Sequence, residues 1–222
     1  MIETKRLILR PFRVEDAADV YEYLSDPKVN CLVDLKLDSI EDSIAEMSKR
    51  QQDSELFFAI VLKETGKVIG EIVALQKIDE ATKQDLETYS PSWMLNEEYC
   101  GKGYGFEAVS AFFDYLFNQK GARRIFAYTD DYNTRSRHLC EKLGMRKEGF
   151  FKEFVSFVNN EDGTPHYENT YQYAILKKEW DALKKIIWCY SVFFCNFQRV
   201  VIRIVINEKS SFVFNFWGLK LI

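Results

Sequence analysis

The chain has 222 residues, 47% hydrophobic and 29% charged, so it can bury the core of one large domain and is not a compositionally disordered polymer. Its net charge of −4 is unevenly placed: residues 177–222 carry eight basic against three acidic side chains, which leaves residues 1–176 at 22 against 31, a net −9. An acidic body excludes nucleic acid as the main partner, because phosphate contacts need clustered Lys and Arg.

Residues 4–12 alternate Leu7 and Leu9 against Arg6, Ile8 and Arg10, which predicts a first strand bounded by Pro11. Over residues 16–24, Ala17, Val20, Tyr21 and Leu24 share one helical face, and Ser25-Asp26-Pro27 stops the helix. A second helix is predicted from Ser39 to about Arg50. Residues 56–62 and 67–75 are apolar runs separated by Lys63-Glu64-Thr65-Gly66, the pattern of an antiparallel hairpin. A third strand is expected over residues 85–95, with a bulge or break at Pro91, which has no N–H for a ladder.

That strand leads into Cys100-Gly101-Lys102-Gly103-Tyr104-Gly105 and then an apolar pattern of helical period through Phe117. Three glycines at alternate positions leave backbone N–H groups unshielded where a helix begins and its dipole is positive, which suits a phosphate. The same glycines also fit an ordinary tight turn. The run is neither a dinucleotide fingerprint, lacking the acidic residue about 20 positions on, nor a P-loop, lacking the closing Gly-Lys-Ser/Thr.

Residues 124–129 predict a buried strand, residues 133–144 a short helix ended by Gly144, and residues 153–158 and 170–176 two further strands. The order β-α-α-β-β-β-α-β-α-β-β implies an α/β protein in the broad sense, an α+β mixed sheet with helices on its faces. The five cysteines, at 31, 100, 140, 189 and 195, are odd in number and form no Cys-x-x-Cys pair. With two histidines besides, no metal site is expected. The N-terminus lacks an apolar core of signal-peptide length, so a reducing cytoplasm is the expected location.

Beyond Trp180 the composition changes, with nine aromatics and the single acid Glu208 in residues 188–222. Residues 186–206 approach the length of a membrane span but contain Arg199 and Arg203, each costing about 2.5–3.5 kcal/mol at a bilayer centre, so a membrane association is not expected. Residues 199–206 and 212–222 suit a hairpin that would cover a sheet edge or a second subunit of a homodimer. A non-native extension with no selected role fits the same composition. The domain boundary is therefore set between a domain of residues 1–181 and an extension of residues 182–222.

Four segments in this order resemble the GNAT acyl-CoA N-acyltransferases, and most of all the branch that acetylates the N-termini of ribosomal proteins. They are Thr4-Lys5-Arg6-Leu7-Ile8-Leu9-Arg10; the Gly101–105 turn with Glu107-Ala108; Asn133-x-x-Ser136 with Glu141-Lys142-Leu143-Gly144; and Tyr173-Ala174-Ile175-Leu176-Lys177-x-Glu179-Trp180. The resemblance implies the GNAT fold, with acetyl-CoA in a cleft where the strand ending at Leu95 splays from the next. The pyrophosphate would lie on Cys100, Gly101, Lys102, Gly103, Tyr104 and Gly105, and the pantetheine arm along Met94 and Leu95. Cys100 replaces the Gln or Arg usual in the superfamily, and Cys140 stands where many members carry a tyrosine that protonates the departing thiolate, leaving Ser136.

Asn133 has two readings, a helix N-cap or a pantetheine contact, and Ser136 equally a small packing residue. Direct transfer requires a base for the amine, and Glu71 and Glu87 on the central strands are the candidates, each also readable as a solvated strand glutamate. The expected activity is transfer of acetyl from acetyl-CoA to a primary amine, a protein N-terminus or a small cationic amine drawn by the acidic body, within a ternary complex. The alternative is a CoA-binding interaction module in which catalysis has lapsed.

Overall fold

The computed structural model describes residues 1–52 and 56–185. Met1–Trp180 forms one compact unit. The proposed tail hairpin lies outside the described residues.

The unit contains β1 (Ile2–Glu3), β2 (Leu7–Arg10), α1 (Ala17–Leu24), α2 (Ile40–Gln52), β3 (Phe57–Leu62), β4 (Val68–Ile78), β5 (Asp85–Leu95) and α3 (Tyr104–Asn118). It continues with β6 (Arg124–Asp130), α4 (Thr134–Lys142), β7 (Arg146–Asn159) and β8 (Pro165–Leu176). The strands form one sheet of order β1-β2-β3-β4-β5-β6-β8-β7, antiparallel throughout except for β5 beside β6. No helix among the described residues is long and apolar enough to cross a membrane.

Strand β3 is a continuous apolar run because both faces of the sheet are covered there. Ala59 and Val61 join Phe12, Val20, Leu24 and Met47 in a core under α1 and α2, while Phe58, on the alternate face, meets Phe112 of α3 edge to face at 5.7 Å. Helix α3 contributes Ala108, Val109, Phe112, Phe113, Leu116 and Phe117, all buried, and Trp180 closes over it at 5.6 Å from Phe113.

Two expectations are corrected. The β4–β5 ladder runs through Ala74↔Pro91 in register, its irregularity falling instead at Lys77/Ile78. What stops near Pro91 is the pairing on the other edge, where β5 and β6 share only Thr88↔Arg124 and Tyr89↔Ile125. Strand β7 also begins at Arg146, well before residue 153, and carries three register shifts against β8. Its residues are exposed or half-buried along its length, so no alternating apolar pattern marked it.

Two polar devices fix the frame. Arg50, 4% exposed, donates from Nη1 to Glu71 Oε2 at 2.6 Å and from Nε to Glu46 Oε1 at 2.8 Å. Its guanidinium also lies over Phe57, 4.6 Å from the ring centre, and Tyr23 Oη donates to the same Glu71 oxygen at 3.1 Å. Removing one partner of a buried ion pair costs about 3–5 kcal/mol, because it strands the other charge. Arg50→Met should therefore lower the unfolding free energy by about that amount in urea titrations. Adding Glu71→Leu should recover part of the loss, with the Tyr23 hydroxyl then missing its acceptor. A double variant no more stable than Arg50→Met would show that stranded charge is not the cause.

The second device ties the opening segment to α3. Glu107 Oε1 accepts from the Thr4 hydroxyl at 2.7 Å and the Arg6 backbone N–H at 2.7 Å, and Oε2 accepts from Arg6 Nε at 2.6 Å. Burial pushes the Glu107 carboxyl upward, but these Thr4 and Arg6 donors outweigh it and hold it below the ordinary glutamate value of 4.5. A carboxyl lowered in the folded state adds stability above its unfolded value and loses it as pH falls through the folded one. Glu107→Gln should therefore be less stable than wild type at neutral pH. The difference should shrink as the pH is taken below 4.5, measured by urea unfolding across a pH series.

Candidate active site

Parallel strands can separate once their ladder ends, and β5 and β6 do so after two pairs. The space between them is a cavity of about 480 Å³, walled by the ends of β5 and β6, the starts of α3 and α4, and parts of α1, β7 and β8. A cleft beyond the carboxyl ends of parallel strands is the usual place for a ligand in α/β sheets.

At one end is the glycine turn. Gly101 and Gly103 have φ of 75° and 82°, left-handed conformations that favour glycine, and Gly103 is the residue from which α3 starts. A Cβ on Gly101 would meet nothing within 4 Å. The backbone around it is therefore open, as an anion cradle on a helix N-terminus requires. The turn is held from behind: Arg6 Nη1 donates to the Lys102 carbonyl at 3.0 Å, and the Arg6 guanidinium lies 4.3 Å from the centre of the Tyr104 ring. Lys102 is exposed, with its ammonium 5.2 Å from the Tyr99 ring centre. Cys100 and Gly105 line the cavity, and the Cys100 thiol donates to the Asn96 carbonyl at 3.8 Å.

Met94 and Leu95, half-buried at the end of β5, form the next part of the wall. Their approach to β4 depends on Gly70, a residue sequence reasoning passed over. A Cβ there would lie 2.2 Å from the Met94 carbonyl oxygen and 2.9 Å from Leu95 Cα, so only glycine lets the two strands lie this close. An isolated glycine inside an apolar strand was the available signal.

Opposite, α4 presents Asn133 and Ser136 to the cavity. The Asn133 side chain accepts from the Ser136 backbone N–H at 3.1 Å, so Asn133 caps the helix. Cys140, one turn beyond Ser136, is fully buried away from the cavity, and burial pushes its thiol up to about 12.

The two glutamates expected as bases are not brought to the cavity. Glu71 is buried behind Tyr23, which does line it, and is held by Arg50. Glu87 is exposed near the opposite end of β5, with a left-handed φ of 49° and its N–H bonded to Asp85. In their place the cavity holds Asp130, at the end of β6, and Thr170, its cross-strand partner on β8. Neither belonged to a recognisable motif; the position of Asp130 at the carboxyl end of a buried strand was the only hint. Among the described residues, no group of His, Cys, Asp and Glu could hold a metal ion.

The chain is similar to known proteins in sequence and in fold. Residues 6–146 match the family described as acetyltransferase (GNAT) domain. YnaD of Bacillus subtilis (strain 168), named as an uncharacterized N-acetyltransferase, is 34% identical over 180 residues, covering 81% of this chain and 99% of that protein. The [ribosomal protein uS5]-alanine N-acetyltransferase of Escherichia coli (strain K12) is 27% identical over 85 residues, 38% of this chain and 44% of that one. The crystal structure of a GNAT-family acetyltransferase from Bacillus anthracis superposes with a TM-score of 0.68 at 31% identity, over 80% of this chain and 99% of that one. With the parallel pair parting beside a glycine turn at a helix start, these matches place the chain in the GNAT family, as an N-acetyltransferase.

Proposed function

We propose that the protein moves the acetyl group of acetyl-CoA directly to a primary amine, with both bound in the one cavity. The observation that carries this reading is the continuity of that cavity, from Cys100 and Gly105 past Met94, Leu95 and Ser136 to Asp130 and Thr170. Donor and acceptor can enter it from opposite ends and meet near Ser136.

Acetyl-CoA supplies an activated acyl group as a thioester. The chain's contribution at that end is binding and orientation. Backbone N–H groups of residues 101–105 face an anion with the positive end of α3 behind them, which requires no cation. The exposed backbone edge of β5 near Met94 and Leu95 can pair with an extended amide-bearing arm, as the unpaired groups of a strand edge do. Ser136 lines the cavity, where its hydroxyl can hydrogen-bond the sulfur as charge builds on it. Cys140, sealed in the core, is not placed to do so.

The acceptor is read as a cationic primary amine from the charge of residues 1–176, a net −9, which favours encounter with cations. A relative named for alanine acetylation of a ribosomal protein supports an amine at a chain terminus. A solved neighbour, a spermidine/spermine N-acetyltransferase from Vibrio cholerae that is 17% identical, shares the fold and no more.

Release of free thiol from acetyl-CoA across a panel of primary amines tests the activity, and calorimetry with CoA tests the donor end. Gly105 lies within α3, where alanine suits the backbone, yet an added Cβ would sit 3.3 Å from Leu95 Cδ1 on the cavity wall. Gly105→Ala should therefore fold normally and bind CoA about tenfold more weakly, a loss of about 1.4 kcal/mol. Undiminished affinity would remove the turn from the binding site.

Ser136→Ala separates the chemical step from binding. A hydrogen bond to a charged partner contributes about 1.5–3 kcal/mol, or roughly 10- to 100-fold in rate. The variant should lose kcat by that factor with CoA affinity unchanged. Cys140→Ala, matched for burial, should affect stability and leave kcat alone, and the reverse pattern would exchange the two roles.

A further inference from the structure

At the far end of the cavity Asp130 lines the wall, and the charge of a second buried carboxylate, Glu168, acts on it. Asp130 is 5% exposed, Glu168 is 5% exposed, and among the described residues neither takes part in an ion pair. The other acids at the cavity rim are compensated: Glu97 by Arg135 at 3.3 Å, Asp26 by Lys28, and Glu22 by Lys67 at 2.7 Å. Glu168 and Thr170 lie two apart on β8 and so point to the same face. The Glu168 Oε2 atom and the Thr170 hydroxyl are both buried with no hydrogen-bond partner. Buried polar atoms are almost always paired; the other Glu168 oxygen accepts from Asn30 Nδ2, and the two orphans, one of them on a carboxylate whose charge acts on Asp130, call for a group that donates several hydrogen bonds and carries positive charge. A primary ammonium has both properties.

Resting on the acetyltransferase reading above, we infer that Asp130, Glu168 and Thr170 form the acceptor-amine subsite, and that Asp130 is the base that takes the amine's proton.

The surroundings suit that role. Asp130 is faced by the Cys31 thiol from the 3-10 turn at Asn30–Leu35, by Tyr132 and Asp131 from the loop before α4, and by Glu168 from β8. Burial first, and then the Glu168 charge, raise its carboxyl above the ordinary aspartate value, against the Cys31 and Tyr132 donors that lower it. The Cys31 thiol is pushed up to about 12, by loss of hydration and then by the Asp130 charge, although the residue as a whole is exposed, so it faces Asp130 as a donor. A carboxylate with raised proton affinity is a better acceptor for an ammonium proton. The mouth above is aromatic: Tyr128 and Phe154, about half exposed with ring centres 5.7 Å apart, both line the cavity. Phe154 is brought there by the β7 bulge at Phe151/Val155, where Glu153 adopts a left-handed φ of 47°. The subsite therefore admits an ammonium on a flexible or apolar stem.

The ammonium gives one proton to the Asp130 carboxylate and becomes a neutral amine. Its lone pair forms the C–N bond to the thioester carbonyl carbon, and the C–S bond breaks with the electron pair staying on sulfur. A second nitrogen proton passes to that sulfur by way of the Ser136 hydroxyl, and the proton on Asp130 leaves to solvent. One ammonium and one thioester become one amide, one thiol and one free proton.

The test uses the full chain with 1,4-diaminobutane and an alanine-initiated tripeptide amide as probes, following thiol release against pH and CoA binding by calorimetry. Asp130→Asn should lower kcat/KM for any accepted probe by about 100-fold or more, abolish the acidic limb of the pH profile, and leave CoA affinity unchanged. Asp130→Glu should restore part of the rate. Glu168→Gln, which removes the charge that raises Asp130, should move the acidic limb to lower pH and raise the thermal midpoint at neutral pH by relieving like-charge repulsion. An Asp130→Asn enzyme as fast as wild type, or a limb unmoved by Glu168→Gln, overturns the assignment. If Asp130→Asn fails to fold, the Glu168→Gln profile decides alone. Wild type active with Asp130→Asn unaffected sinks this inference only, whereas wild type that releases thiol with neither probe sinks the acetylation reading with it.

Discussion

Parallel pairing between β5 and β6 lasts for two residues and then gives way, and the cavity exists because the strands separate beyond Tyr89 and Ile125. Continuing that ladder would close the sheet and fill the space with side chains. Its early end leaves one edge of β5 with backbone groups that the sheet does not satisfy, and such groups need partners. Pro91, the next odd position on β5, has no N–H to offer a neighbouring strand. On the other side β5 stays locked to β4 through nine paired positions, closely enough at Met94 and Leu95 that Gly70 cannot carry a side chain. The strand is thus rigid on one edge and open on the other.

Charge is handled in opposite ways at two buried places in the same unit. Beneath α1 and α2, Glu71 is met by Arg50 and Tyr23, and every strong partner is present within the chain. At the β6–β8 end, Asp130 and Glu168 are set beside each other with only neutral donors, Cys31, Tyr132 and Asn30. The first arrangement is a closed account of hydrogen bonds that fixes how the helices pack. The second leaves like charges under repulsion where burial already disfavours charge, at a cost to the fold.

Much of the fold was legible in the sequence. Strand β5 begins and ends at the predicted residues, and α1, α2, α3, β3 and β4 fall within a few positions of theirs, because each has a clear apolar period and a turn at its end. Strand β7 was read too short because its side chains are largely exposed and its bulges break the alternation. The glycine turn and the Ser136 helix were legible because their residue types are forced, glycine by positive φ and asparagine by the cap. The distance of Glu71 and Glu87 from the cavity was not legible, because both lie on central strands and nothing in a linear pattern distinguishes a glutamate held by Arg50 from an exposed one near the start of β5.

The link between the opening Thr4-x-Arg6 and the turn some 100 residues later shows why the two segments occur together. Glu107 cannot choose its own conformation at the start of α3; Thr4 and Arg6 fix both carboxylate oxygens, and Arg6 reaches on to the Lys102 carbonyl. That clamp positions backbone, and backbone geometry is written in a few obligatory residues wherever it occurs. At the other end the cavity is walled by side chains, Asp130, Thr170, Tyr128 and Phe154, supplied by β6, β7 and β8. Many residue combinations can line such a wall, and each suits a different amine. The glycine-turn end of the cavity is therefore legible in the sequence, while the opposite wall becomes readable only once the strands have been brought together.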